Sequence, residues 1–86
     1  MTINEIIETL KEKGYRDYVP TEHWINIPGK LVDKKRLIRR LTYIPNSNKL
    51  LVHWVDNNNL GYFMEYSELS RKSKNVIETY LGGLRS

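Results

Sequence analysis

The stretch RLTYIPNSNKLLVHWV, residues 40–55, decides the fold of this chain. Two segments rich in aliphatic and aromatic residues flank the sequence Pro-Asn-Ser-Asn at residues 45–48, a composition that favours a tight turn. After that turn, Leu50, Val52 and Trp54 occupy alternate positions, which is the period of a half-buried strand. The stretch therefore predicts an antiparallel hairpin with one face turned towards a core.

Further strands are predicted on both sides of this hairpin. The segment HWINI, residues 23–27, alternates in polarity and is followed by Pro28-Gly29, which we expect to form a turn. The segment LGYFMEY, residues 60–66, alternates as well and follows a polar Asp-Asn-Asn-Asn loop at residues 56–59. These segments extend the hairpin into an antiparallel meander.

A helix is predicted at each end of the chain. The pattern Thr-x-x-Glu at residues 2–5 forms a capping box, and an apolar stripe then continues until Gly14, so the first helix should span about residues 3–13. For the second helix we expect Ser67 to be the N-cap and Gly82-Gly83 to mark the end.

These elements define an α+β fold class. The expected order is an N-terminal helix, a three- to four-stranded antiparallel meander and a C-terminal helix (α-β-β-β-α), within a single domain at residues 1–86. Each helix must bury an apolar stripe, so we expect both helices on one face of the sheet. The side chains predicted to be buried are those of Ile7, Leu10, Val52, Trp54, Ile77 and Leu81.

Composition limits the classes of function. The chain has no Cys, so it contains neither a disulfide nor a thiolate site, which fits a reducing, cytoplasmic location. No apolar run approaches the length of a membrane span, and we expect no membrane association. Neither a CxxC nor an HExxH motif is present, and we expect no metal or other cofactor.

The net charge of +4 is concentrated in one segment. Residues 30–49 carry seven of the 14 basic side chains and one of the 10 acidic ones. A local basic surface attracts a polyanion or an acidic protein, and aromatic rings near it can stack on unpaired bases. The candidate contact residues are Lys30, Lys34, Lys35, Arg36, Arg39, Arg40 and Tyr43.

Two conformations compete for the basic part of this segment. Read as a helix, residues 33–44 would carry one apolar stripe and end before Pro45. Read as a strand, the same residues pair with the strand that follows the turn. We favour a strand from about Arg36 to Ile44, with a bulge or bend where Leu37-Ile38 and Arg39-Arg40 break the alternation.

Three functions fit these patterns. The one we favour is non-enzymatic binding of nucleic acid through residues 30–40, with an affinity that falls steeply with salt. The second is a protein-binding accessory or inhibitor protein of a virus or mobile element, directed at an acidic partner surface. The third is a small ribonuclease that uses His23 as general acid or base. A purely structural alternative is that the cations protect an exposed sheet edge against aggregation.

Overall fold

The described residues of the chain fold into a five-stranded antiparallel sheet with one helix before it and one after it. The computed structural model describes residues 1–33, 36–56, 58 and 60–85, with the backbone alone for residues 29–33. The strands are ordered β1-β2-β3-β4-β5, so each strand pairs with its neighbours in sequence. The elements are α1 (Ile3–Lys13), β1 (Tyr15–Tyr18), β2 (Thr21–Asp33), β3 (Arg36–Ile44), β4 (Lys49–Asp56), β5 (Gly61–Glu65), a short 3-10 helix (Tyr66–Glu68) and α2 (Arg71–Arg85).

The central hairpin confirms the strand prediction for residues 36–44. Strand β3 covers these residues, and its pairing with β4 shifts register between Ile38 and Arg40, which is the predicted bulge. In the turn, the backbone N–H of Asn48 donates to the carbonyl oxygen of Pro45 at 3.2 Å. Asn48 adopts a φ of 53°, a left-handed conformation that Asn tolerates.

Three predictions about the strands are wrong. The meander has five strands because residues 15–18 form an additional edge strand, β1, along β2. Strand β2 does not end at Pro28-Gly29. Its pairing with β3 shifts register between Asn26 and Lys30, and such an irregular site accommodates a proline that lacks an N–H. Edge protection is wrong for the arginines of β3, since this middle strand is paired on both sides.

Helix α1 is the element that the sequence predicted most closely. The Thr2 side chain accepts a hydrogen bond from the Glu5 backbone at 3.1 Å, and the Glu5 carboxylate accepts one from the Thr2 backbone at 2.9 Å. This reciprocal pair is the predicted capping box. The helix ends at Lys13, as expected.

The predicted limits of the C-terminal helix are wrong at both ends. Ser67 lies in the short 3-10 helix, and Ser70 caps α2 by accepting a hydrogen bond from the Ser73 backbone at 3.3 Å. Gly82-Gly83 lies inside α2, which continues to Arg85. The last turn is held by tertiary contacts, because Leu84 packs against the core and Arg85 forms an ion pair of 3.6 Å with Glu5.

One face of the sheet and both helices enclose the core. Ile6 and Leu10 of α1 form a single buried cluster with side chains of α2 and of strands β2–β4, so both helices lie on the same sheet face, as predicted. Neither helix in the described part of the chain has the length and apolar character of a membrane span. Ile7 is only partly buried, because the adjacent Ile6 occupies the centre of the stripe. The other predicted core residues, Leu10, Val52, Trp54, Ile77 and Leu81, are buried.

Gly14 joins α1 to β1 at a point that leaves no room for a side chain. A Cβ atom there would lie 2.6 Å from the carbonyl oxygens of Leu10 and Trp24. Because both contacts are with backbone, we expect Gly14→Ala to lower the free energy of unfolding by ~1–3 kcal/mol. In the control Gly82→Ala, the new Cβ meets nothing within 4 Å, and we expect a gain of ~0.5–1 kcal/mol. Urea denaturation measures both, and equal stability of the two variants would contradict this packing.

Candidate functional site

The sheet face opposite the helices is the candidate site, and we call it the open face. Directly paired residues of neighbouring antiparallel strands lie on the same face, so the strand register identifies its members. The pairs Asn26–Arg40, Arg40–His53 and His53–Phe63 lie on it. Side chains of β2, β3, β4 and β5 line a solvent-open cavity of about 880 Å³ there. This concave surface is large enough to hold a ligand.

One side chain from each strand contributes to a continuous row across the open face. We call Tyr15, Trp24, Arg40, His53 and Phe63 the aromatic row. The ring centroids of Tyr15 and Trp24 are 4.7 Å apart, and the guanidinium carbon of Arg40 lies 3.8 Å from the Trp24 centroid. Arg40 faces His53 across the β3–β4 pairing, and the His53 ring stacks on Phe63 at 4.8 Å. The row therefore runs from one edge strand to the other.

A hydrogen bond and a glycine hold two rings of the row in place. The indole Nε1 of Trp24 donates to a carboxylate oxygen of Asp17 at 3.1 Å, which fixes the orientation of the indole. A Cβ atom at Gly61 would lie 2.6 Å from Nε2 of His53, so the glycine leaves room for the imidazole beside Phe63.

The ends of the row are its most accessible part. Tyr15 is 62% exposed and Phe63 is 63% exposed, so an aromatic side chain is open to a ligand at each sheet edge. Stacking on an exposed ring is favourable for any flat, unpaired base.

Arginines and carboxylates share the open face. Arg39 lies in the β3 bulge, is exposed, and lines the cavity together with Arg40. By register, Lys49 and three acidic residues also belong to this face, so the three cations and three carboxylates named here balance. These acids are Asp17, Glu22 and Glu65.

The predicted contact residues are divided between the two faces of the sheet. Arg39 and Arg40 lie on the open face, and Arg36 lies on the helix side. The guanidinium carbon of Arg36 is 4.6 Å from the Trp54 centroid, and its Nη1 donates to the Tyr62 hydroxyl at 3.2 Å. Arg36 therefore packs over the rim of the core.

Tyr43 also lies on the helix side. It is buried, and its hydroxyl donates to the side-chain oxygen of Asn48 at 2.9 Å. Lys30 pairs with Ile38 through the β2–β3 backbone, and its side chain lies outside the described part of the chain. Lys34 and Lys35 lie outside the described residues. The structure thus brings Arg39 and Arg40 together and keeps Tyr43 away from them.

The two histidines lie on opposite faces of the sheet. His23 pairs with the buried Tyr43, whereas His53 pairs with Arg40 on the open face. The two imidazoles therefore cannot act together as acid and base on one bond. A ribonuclease that uses His23 alone stays a prediction. Within the described residues, no group of three or more His, Cys, Asp or Glu side chains could hold a metal ion.

Four members of the aromatic row were absent from the predicted contact set. Tyr15 and Trp24 precede the basic segment in the sequence, and no local pattern there predicts that their rings stack. For His53 and Phe63 a signal existed, because strand alternation places them opposite the apolar stripes that carry Trp54 and Tyr62. Their grouping with Arg40 depends on strand register, which no local pattern reveals.

Acidification is expected to lower the stability of the fold over the pH range in which His53 becomes protonated. Burial, and then the nearby Arg40 and Arg39, lower the pKa of His53 below its ordinary value. The folded state therefore favours the neutral imidazole, so the stability from this group is complete above about pH 6.5 and is lost as pH falls through the lowered pKa.

The melting temperature should accordingly fall as the pH is lowered from about 7.5 to 5, and it should fall less steeply in the His53→Gln variant than in the wild type. Some slope will remain in the variant, because burial and the neighbouring Arg16 and Lys11 also lower the pKa of His23. Thermal melts across this range measure both slopes. Identical slopes for wild type and variant would contradict the environment assigned to His53.

Comparison of the chain with protein-family models, with curated proteins and with solved structures finds no match.

Proposed function

We propose that this protein is a small, non-enzymatic binding module that contacts nucleic acid through the open face of its sheet. The observation that carries the proposal is the aromatic row. Two ring stacks, Tyr15–Trp24 and His53–Phe63, lie on either side of Arg40 in the middle strand, and the Arg40 guanidinium lies over Trp24. Nucleic acids offer flat bases and negative phosphates, and this row offers rings and a guanidinium to match them.

The positions of Arg39 and Arg40 support this proposal. Arg40 is already held against Trp24, so little side-chain freedom remains to be lost when a phosphate or base binds. Arg39 is exposed in the bulge and can reach a phosphate from the cavity rim. As the sequence predicts, Lys30, Lys34 and Lys35 would add further phosphate contacts.

A structural role accounts for part of the row and leaves the rest unexplained. Cross-strand aromatic pairs stabilise a sheet by ~0.2–1 kcal/mol each, which suffices to explain the Tyr15–Trp24 pair. This structural role does not explain why two arginines lie on the same face as aromatic rings that are more than half exposed. A ligand that covers the face accounts for both features.

Fluorescence anisotropy with labelled DNA and RNA tests the proposal. We expect wild-type protein to bind at about 50 mM salt and to lose roughly sevenfold in affinity by about 200 mM if Arg39 and Arg40 are the only phosphate contacts. Phosphate contacts by Lys30, Lys34 or Lys35 would make the affinity fall more steeply with salt.

The double variant Arg39→Ser/Arg40→Ser should bind at least about tenfold more weakly. It should stay folded and lose only about 1 kcal/mol of stability, because Arg39 is exposed and the contact of the half-buried Arg40 with Trp24 is a single surface cation–π interaction. The matched control is Arg71→Ser/Lys72→Ser, which removes two exposed cations from α2. Failure of the wild-type protein to bind either DNA or RNA at low salt would overturn the proposal. It would favour instead the acidic protein partner considered from the sequence.

A further inference from the structure

We infer that the ligand of the open face is a single-stranded nucleic acid whose unpaired bases stack on Tyr15 and Phe63. The inference rests on the proposed function and specifies the class of nucleic acid. Tyr15 belongs to edge strand β1 and Phe63 to edge strand β5, so the two accessible rings lie at opposite ends of the aromatic row.

The width of the sheet sets the separation of these two rings. Four spacings of ~4.8 Å separate β1 from β5, which gives roughly 19 Å across the row. Stacked nucleotides rise by ~3.4 Å each along a strand, so the rings would contact bases several nucleotides apart. Between them Arg40 and Arg39 are placed to meet the intervening phosphates.

A duplex fits this surface poorly. Its bases are already paired and stacked, so the exposed rings of Tyr15 and Phe63 would find no partner. The row spans roughly 19 Å, whereas the major groove is ~12 Å wide, so both edge rings cannot enter one groove with the sheet lying flat.

The charge on the open face also favours a single-stranded ligand over a duplex. Duplex DNA carries one negative charge per ~1.7 Å and is held mainly by cations. On the open face, the carboxylates of Asp17, Glu22 and Glu65 offset the charges of Arg39, Arg40 and Lys49. A surface with balanced charge and open rings gains more from base stacking than from phosphate neutralisation, and stacking needs unpaired bases.

Two oligonucleotides separate these ligand classes. One is a labelled single strand of about 12 nucleotides, within the range of ~4–16 nucleotides that single-strand-binding sites cover. The other is the same sequence closed into a duplex. We expect the wild-type protein to bind the single strand at least about tenfold more tightly, because only its bases are free to stack.

Removal of each edge ring tests the stacking itself. Tyr15→Ala and Phe63→Ala should each lower single-strand affinity by roughly 5- to 150-fold, since a base–aromatic stack contributes ~1–3 kcal/mol. Tyr18→Ala is the matched control, because Tyr18 is 75% exposed in the same strand β1 but three positions from Tyr15, on the other face. We expect it to change affinity by less than about twofold.

Leucine variants test the same stacking contacts if an alanine variant fails to fold. Tyr15→Leu and Phe63→Leu retain apolar bulk and remove the flat ring, so the same loss of single-strand affinity is expected from folded protein. Duplex bound as tightly as the single strand, with both leucine variants unaffected, would overturn this inference and leave the proposed function standing. No binding of either oligonucleotide would overturn both. An equal loss in Tyr18→Ala would also overturn the stacking model.

Discussion

Leu81→Ala is expected to lower the free energy of unfolding by ~2–5 kcal/mol, a large share of the ~5–15 kcal/mol that stabilises an ordinary domain. Leu81 is fully buried in the cluster that joins both helices to the sheet. Truncation removes apolar contacts and leaves a cavity between elements that cannot collapse onto it. Leu10→Ala, at the equivalent buried position of α1, should have a similar effect.

Leu60→Ala is the matched control for these truncations. Leu60 is 63% exposed, so the same chemical change should alter stability by less than about 0.5 kcal/mol. Urea denaturation followed by circular dichroism measures all three variants. If Leu10→Ala and Leu81→Ala both unfold at the wild-type midpoint, the packing of the two helices on one sheet face is wrong.

Arg40→Glu should lower nucleic-acid affinity by on the order of 100-fold at low salt. The change reverses the charge at the centre of the aromatic row and removes the guanidinium that lies over Trp24. Arg40→Lys keeps the charge and loses the planar stacking group, so we expect an intermediate loss of about tenfold.

Lys72→Glu provides the control for net charge. It changes the charge of the protein by the same amount at an exposed position of α2, on the helix side of the sheet. Its affinity should fall by less than about threefold, because exposed charges beyond a Debye length are largely screened. Equal losses in Arg40→Glu and Lys72→Glu would mean that net charge attracts the ligand and that the open face is not the site.

Local signals were sufficient for part of the fold. The capping box at residues 2–5 and the polar turn at residues 45–48 satisfy their own backbone hydrogen bonds, so a short stretch of sequence specifies each of them. The breaks in alternation at Leu37-Ile38 and Arg39-Arg40 likewise predicted the β3 bulge, which lies between Ile38 and Arg40.

Elements that depend on distant partners were missed. All four residues of β1 are exposed, so the strand has no burial pattern that a sequence could display, and it exists because β2 offers an edge to pair with. The end of α2 is similar. Two glycines normally stop a helix, but Arg85 reaches Glu5, 80 positions earlier, and donates to its carbonyl oxygen at 3.4 Å.

The candidate site shows the same division. Charge density alone made Arg39 and Arg40 candidate contact residues, since a cluster of cations is visible in the sequence. In a regular strand, Arg36 and Arg40 would lie on the same face. The extra residue in the bulge reverses the alternation between them, so Arg36 lies on the helix side and Arg40 on the open face. The aromatic row takes one residue from each strand, so it required the full register of the sheet and the unpredicted strand β1.

Binding at the open face can be read directly from two indole signals. The chain has two tryptophans, Trp24 on the open face and Trp54 in the core, where it is 1% exposed. In a ¹⁵N-labelled sample each gives one indole N–H resonance, and Trp54→Phe assigns them. We expect titration with an unlabelled single strand to shift the Trp24 resonance to saturation and to leave the Trp54 resonance in place. A saturating titration that leaves Trp24 unmoved would contradict the claim that the open face binds nucleic acid.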